Sequence, residues 1–184
     1  MKKILVVVDM QKDFIDGALG TKEAVEIVPK VVAKIKTYKE QGCTIYFTKD
    51  THDIDYLHTQ EGKNLPVEHC IKGREGWELE KEISKLAQEI EEIQKVPTLF
   101  EKGSFGSIAL AEAIQKEGID EEEVVIEVIG VCTDICVLSN VMLLKAYLPE
   151  AKIVVDESCC AGVTPESHLN ALNALKMCQI HIIS

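Results

Sequence analysis

What the chain lacks narrows it first. No apolar run in its 184 residues is long enough to cross a bilayer. Met1-Lys2-Lys3 leads into an apolar run of only five residues, closed by Asp9, which is not the pattern of a secretory signal. Positive charge is in deficit: Lys and Arg number 20 against 31 Asp and Glu, for a net charge of −11. Neither a nucleic acid nor an anionic membrane is therefore an expected partner. Repeats, linkers and low-complexity segments are missing. So is a Gly-x-Gly-x-x-Gly after the first apolar run, which weakens a dinucleotide-binding reading. The seven cysteines are odd in number and have no tight repeating spacing. A reduced, cytosolic protein with free thiols is expected.

What is present is ordinary for a globular chain: 46% hydrophobic and 28% charged residues, enough for one domain over residues 1–184. Ile4-Leu5-Val6-Val7-Val8 reads as a strand buried on both faces. Pro29 suits the first turn of a helix ending near Gly42, with Val31, Val32, Ile35 and Tyr38 as its stripe. Further strands are expected at Thr44–Thr48, Val96–Phe100, Glu123–Ile129, Lys152–Val155 and Gln179–Ile183. Helices are expected at Glu78–Glu91, Ser107–Glu117, Val137–Ala146 and Pro165–Met177. The alternation predicts a three-layer α/β fold with a doubly wound, six-stranded, mostly parallel sheet in the order 3-2-1-4-5-6.

In such a sheet ligands bind beyond the carboxyl ends of the strands, where strand order reverses. Asp9, Asp50, Lys102 and Cys136 end or follow strands one to four, so they are expected to converge. Cys136 starts a helix, where free N–H groups and the dipole favour thiolate, the nucleophilic form. A buried inert thiol remains the alternative. Asp9 would exchange the proton that such a nucleophile needs, and Lys102 would stabilise the thiolate, unless the two only close the sheet as an ion pair. The polar segment between Asp50 and Trp77 is too long for a routine connection. Asp50 and His52 lie on one side of an extended stretch, with His58, Glu61 and His69 following. Such a set suits zinc, iron or manganese, or else consists of solvated loop histidines. His168, His181 and Trp77 read as packing or surface residues.

Together these residues resemble the isochorismatase-like cysteine hydrolases, and within them the nicotinamidases (pyrazinamidases). Asp9-Met10-Gln11-Lys12-Asp13-Phe14, Asp50-x-His52 with Pro66-Val67-Glu68-His69-Cys70, Lys102 with Phe105, and Gly130-Val131-x-Thr133-Asp134-x-Cys136 occur in the family's order. Asp156 and Glu166-x-His168-x-x-Ala171-Leu172 fit as well. The resemblance implies a catalytic triad of Asp9, Lys102 and Cys136, and a non-proline cis peptide before Cys132. It implies an oxyanion hole from the backbone N–H groups of Cys132 and Cys136, and a substrate pocket with Phe14, Phe105 and Val131. One divalent metal, zinc before iron or manganese, would be held by Asp50, His52 and His69, with Glu61 or His58 as a further ligand. The implied reaction is hydrolysis of nicotinamide to nicotinate and ammonia through a thioester. A related amidase acting on a carbamoyl or ureido compound, and a silent small-molecule binding protein, are the competing readings. A homo-oligomer is left open.

Overall fold

The computed structural model describes residues 1–118 and 120–184. Six strands, β1 (Lys2–Val8), β2 (Thr44–Asp50), β3 (Leu99–Lys102), β4 (Val124–Val131), β5 (Lys152–Ala161) and β6 (His181–Ile183), form one sheet. Its order is β3-β2-β1-β4-β5-β6 and every pairing is parallel. The order is the expected one, with the reversal between β1 and β4. Ile4 to Val8 and Ile126 to Ile129 are almost wholly buried, as central strands covered on both faces must be. Among the described residues seven α-helical segments lie between the strands: α1 (Lys12–Ile15), α2 (Lys22–Glu40), α3 (Gln60–Asn64), α4 (Lys81–Gln94), α5 (Ile108–Lys116), α6 (Leu138–Tyr147) and α7 (Pro165–Met177). Helices α2 and α4 pack together and against β2, α5 packs on α6, and α7 packs on β5 and β6. Among the described residues no helix is long and apolar enough to cross a membrane.

Several boundaries differ from expectation, each for a local reason. Helix α2 begins at Lys22, so Pro29 is interior to it. The hydroxyl of Thr21 caps the helix by accepting from Ala24 N at 3.1 Å. The backbone bond that Pro29 cannot make falls opposite Val25, whose side is solvent-exposed, so that carbonyl can bond water. Helix α4 starts three residues late because Glu80 caps it, accepting from Glu82 N and Ile83 N. Strand β3 begins beyond Pro97, which has no N–H for a ladder, and Lys102 pairs in register with Asp50. Strand β5 runs on to Ala161 across a register shift, leaving Asp156 in mid-strand. Strand β6 begins at His181. Gly130 stands at that shift with φ +119°, and a Cβ there would fall 2.1 Å from Val8 O. Only glycine lets β4 approach the end of β1 this closely.

Candidate active site

Strand ends at the reversal bring together side chains far apart in sequence. Asp9 leaves β1 in a left-handed conformation (φ 49°) and is fully buried. Thr48 Oγ1 donates to its Oδ1 at 2.6 Å. Lys102 reaches in from β3: its Nζ lies 2.7 Å from Asp9 Oδ2, 3.2 Å from Asp50 Oδ1 and 3.5 Å from Cys136 Sγ. The contacts to Asp50 and Cys136 are hydrogen bonds donated by the ammonium, and the one to Asp9 is an ion pair. The Asp9 contact is not aligned as a hydrogen bond, so Oδ2 keeps a buried lone pair without such a partner. The Val131–Cys132 peptide is cis, as the resemblance implied.

The electrostatics correct one expectation. Cys136 stands in the first turn of its helix, as expected, but that turn is not a regular α-helical one. It lies inside a π-helical turn, Thr133–Val137, that runs straight into α6, and it is buried. Burial pushes its thiol well up, Asp9 adds to the shift, and Lys102 opposes it. Burial thus works against the thiolate and Lys102 works for it. Burial also raises the Asp9 carboxyl, against the pull of Lys102 and with the help of Asp50. Asp50 goes the other way: burial would raise it, but hydrogen bonds from His52 and His69 and the Lys102 charge hold it far below the usual carboxylate range. Burial would lower Lys102, yet Asp9, Cys136 and Asp50 keep it firmly charged.

Beside this group, Asp50, His52, Glu61 and His69 present ligand atoms within 4.8 Å of one another. His52 Nε2 is 2.9 Å from Asp50 Oδ2 and 3.7 Å from Glu61 Oε1. His69 Nε2 is 3.5 Å from Asp50 Oδ2 and 3.8 Å from Glu61 Oε1. His69 Nδ1 is held by Val67 O at 2.8 Å, which leaves Nε2 facing the carboxylates. Two imidazoles and two carboxylates on one point, with the back of His69 held, fit a divalent cation. Glu61 belongs to the set. His58 does not: it is exposed in the 3-10 turn Tyr56–His58 and lies outside the cluster.

A cavity of about 270 Å³ adjoins both groups. Cys132, Cys136, Asp50, Glu61 and His69 line it with Phe14, Leu19, Leu65, Phe105, Ile135 and Val163. Its size lies at the small end of ligand pockets. Phe14 and Phe105 are on its wall. Val131 is not, because its side chain is packed into the core beneath the turn. The Cys132 thiol opens on the cavity with its pKa pushed up to about 12 by burial.

Three supporting residues escaped sequence reasoning. Gln11 clamps Asp50, donating to Asp50 O (2.8 Å) and Trp77 O (2.9 Å) and accepting from Asp50 N (2.7 Å). Tyr56 packs against both His52 and His69, with ring centroids 4.7 and 4.9 Å away. Asn140 donates to Cys136 O at 2.8 Å and accepts from Ser107 N at 3.0 Å, tying the turn to the segment after β3. Gln11 stood in the first family motif without a role, Asn140 left the signal of an amide on the apolar stripe of a helix, and Tyr56 left none.

The isochorismatase domain family matches residues 3–184 of this chain. A protein of Bacillus subtilis (strain 168) described as an uncharacterized isochorismatase family protein, PncA, is 30% identical over 179 residues, covering 94% of this chain and 93% of its own. The crystal structure of nicotinamidase/pyrazinamidase PncA from Bacillus subtilis superposes with a TM-score of 0.84 at 29% identity, covering 100% of both chains. That of the pyrazinamidase/nicotinamidase from Streptococcus mutans UA159 gives 0.84 at 29% identity over 99% of this chain and 100% of its own. The chain belongs to the isochorismatase domain family, as an amidohydrolase.

Proposed function

We propose that this protein hydrolyses nicotinamide to nicotinate and ammonia through a thioester on Cys136. The observation that supports this most is Lys102 Nζ bridging Asp9, Asp50 and Cys136 beside a cavity of about 270 Å³. The names borne by the two solved relatives point to the same substrate.

Cys136 starts as a thiol beside an Asp9 whose basicity burial has raised. As Sγ attacks the carboxamide carbon, Asp9 accepts the thiol proton and Lys102 compensates the charge that develops around Sγ. The backbone N–H groups of Cys132 and Cys136 bear on the carbonyl oxygen as it becomes anionic; losing one such donor costs about 10²–10³ in rate. Asp9 passes its proton to the amide nitrogen, the C–N bond breaks, and ammonia leaves a thioester. Water then gives a proton to Asp9 and attacks the thioester carbon. The carboxylic acid departs, and Cys136 regains its proton from Asp9. Phe14 and Phe105 provide apolar walls for the ring. Asp50, His52 and His69, with Glu61 as fourth ligand, would hold one divalent ion, zinc before iron or manganese, and such an ion would supply a Lewis acid to the ring nitrogen. Residues 1–184 act in this scheme as one hydrolase domain.

Ammonia release from nicotinamide, run beside N-carbamoyl and ureido compounds, tests the reading. Turnover of nicotinamide is expected. Turnover of another amide with none of nicotinamide would overturn the substrate but keep the reaction class.

A further inference from the structure

His168 reads from sequence as a packing or surface residue, yet it is half-buried behind the turn that carries Cys136. Its Nδ1 lies 2.8 Å from Thr133 Oγ1. Thr133 is fully buried and opens the π-helical turn, three residues before Cys136. His168 does not line the cavity beside Cys136; it faces a separate cleft of about 330 Å³ between α2 and α7.

The imidazole is itself rigidly mounted. Helix α7 starts on a capping box in which Thr164 Oγ1 accepts from Ser167 N at 3.0 Å, and His168 N donates to Thr164 O at 3.0 Å. The preceding loop touches both parties. Val163 N donates to the Asp134 carboxylate at 3.2 and 3.3 Å, and a Cβ on Gly162 would stand 2.9 Å from His168 Cβ. Turn, loop and helix thus meet at one corner, and the Thr133–His168 bond is the side-chain link from turn to helix.

We propose that His168 is a positioning residue for the nucleophile turn, acting through the Thr133 hydroxyl to set where Cys136 Sγ lies against a substrate carbonyl. The inference rests on the assignment of Cys136 as nucleophile. Without the bond a buried hydroxyl is left unpaired and the turn is free to shift; a misplacement of about 1 Å can cost about 10²-fold in rate. The role needs a hydrogen-bonding group at the Nδ1 position and no acid–base chemistry. An asparagine amide should therefore replace the imidazole, and an aliphatic side chain should not.

The test measures kcat and KM for amide hydrolysis, and the rate of Cys136 alkylation by iodoacetamide located by peptide mass mapping. The variants are His168→Leu, His168→Asn, Thr133→Val and the His168→Leu/Thr133→Val double variant. His168→Leu and Thr133→Val should each lower kcat about 10-fold with KM within about 2-fold, and both should change the Cys136 alkylation rate. His168→Asn should stay within about 3-fold of the unmodified protein, and the double variant should be no worse than the poorer single. Unchanged kcat and alkylation in His168→Leu would overturn the proposal. So would losses that multiply in the double variant. If His168→Leu does not fold, Thr133→Val against Thr133→Ser decides in the same way, because only serine keeps the hydroxyl. Alkylation needs no substrate: a protein that hydrolyses no amide refutes the proposed function while the alkylation comparison still judges this inference.

Discussion

Two lysines in this protein each stand between two buried carboxylates. Lys102 bridges Asp9 and Asp50 at 2.7 and 3.2 Å, and Lys34 of α2 bridges Glu127 and Asp156 at 2.7 Å each. The ion pairs look alike and their surroundings do not. At Lys34 the carboxylates are also bound by hydroxyls: Tyr38 donates to Glu127 Oε2 at 2.5 Å, and Ser158 donates to Asp156 Oδ1 through both N and Oγ. Burial would raise Asp156, but Lys34 and Ser158 hold it below the usual carboxylate range. At Lys102 the same cation is shared with a thiol, and Asp9 ends up above that range. The Lys34 side chain remains 24% exposed, whereas that of Lys102 is 2% exposed. A shared lysine therefore does not mark a site. Nor does a buried carboxylate oxygen without a hydrogen bond, since Glu127 Oε1 is one as well as Asp9 Oδ2; the thiol and the cavity beside Lys102 are what differ.

The comparison can be broken at its strongest point first. Asp9→Asn should lower kcat by about 10³-fold, whereas Glu127→Gln should leave it within about 2-fold. Equal losses in steady-state assays would erase the distinction. Next, Lys34→Met leaves Glu127 and Asp156 facing each other uncompensated and should cost about 3–5 kcal/mol of stability in denaturant titrations. Little change there would mean that the Lys34 network is not structural.

A third effect separates the two regions by metal content. His69→Ala should lose bound divalent ion in elemental analysis, by more than the about 10–100-fold in affinity typical of an outer-shell change. Lys34→Met, if folded, should bind as the unmodified protein does. Retained metal in His69→Ala would refute the ligand assignment.

The smallest effect is the sign of the pH dependence. Asp156 is depressed in the folded state, so its contribution is present above the unfolded carboxylate value, about 3.9, and fades as pH falls through the lower folded value. The stability gap between the unmodified protein and Asp156→Asn should shrink as pH drops from about 5 towards about 2. Asp9 is raised, so its contribution is present below the unfolded value and is lost as pH rises through the folded one. Asp9→Asn should therefore not be destabilised at neutral pH. A constant Asp156 gap, or a less stable Asp9→Asn, would contradict these assignments.

Much of the site was legible because parallel strands place their carboxyl ends in one row. Once Asp9, Asp50 and Lys102 were read as strand ends, their meeting required only the strand order. The loop residues were partly legible: Asp50 and His52 by type and spacing, His69 through the family resemblance, Glu61 and His58 without discrimination between them. The fold separated those two, since α3 turns Glu61 to the cluster while the preceding 3-10 turn leaves His58 exposed. Element ends were less legible, because caps such as Thr21 and Glu80 act over one turn and are easily outvoted by a longer apolar pattern.

The sequence by itself determined the alternation of strands and helices, the buried runs at the centre of the sheet, and the side chains that the strand ends carry. These follow from local periodicity and residue type. Only the tertiary structure decided that Cys136 is buried, that Val131 belongs to the core, and that Thr133 is held by His168. It also decided that one shared lysine reaches a thiol beside a cavity while another lies between Glu127 and Asp156. Protonation, burial and hydrogen-bond supply depend on neighbours that are often distant in sequence, and local pattern carries no record of them.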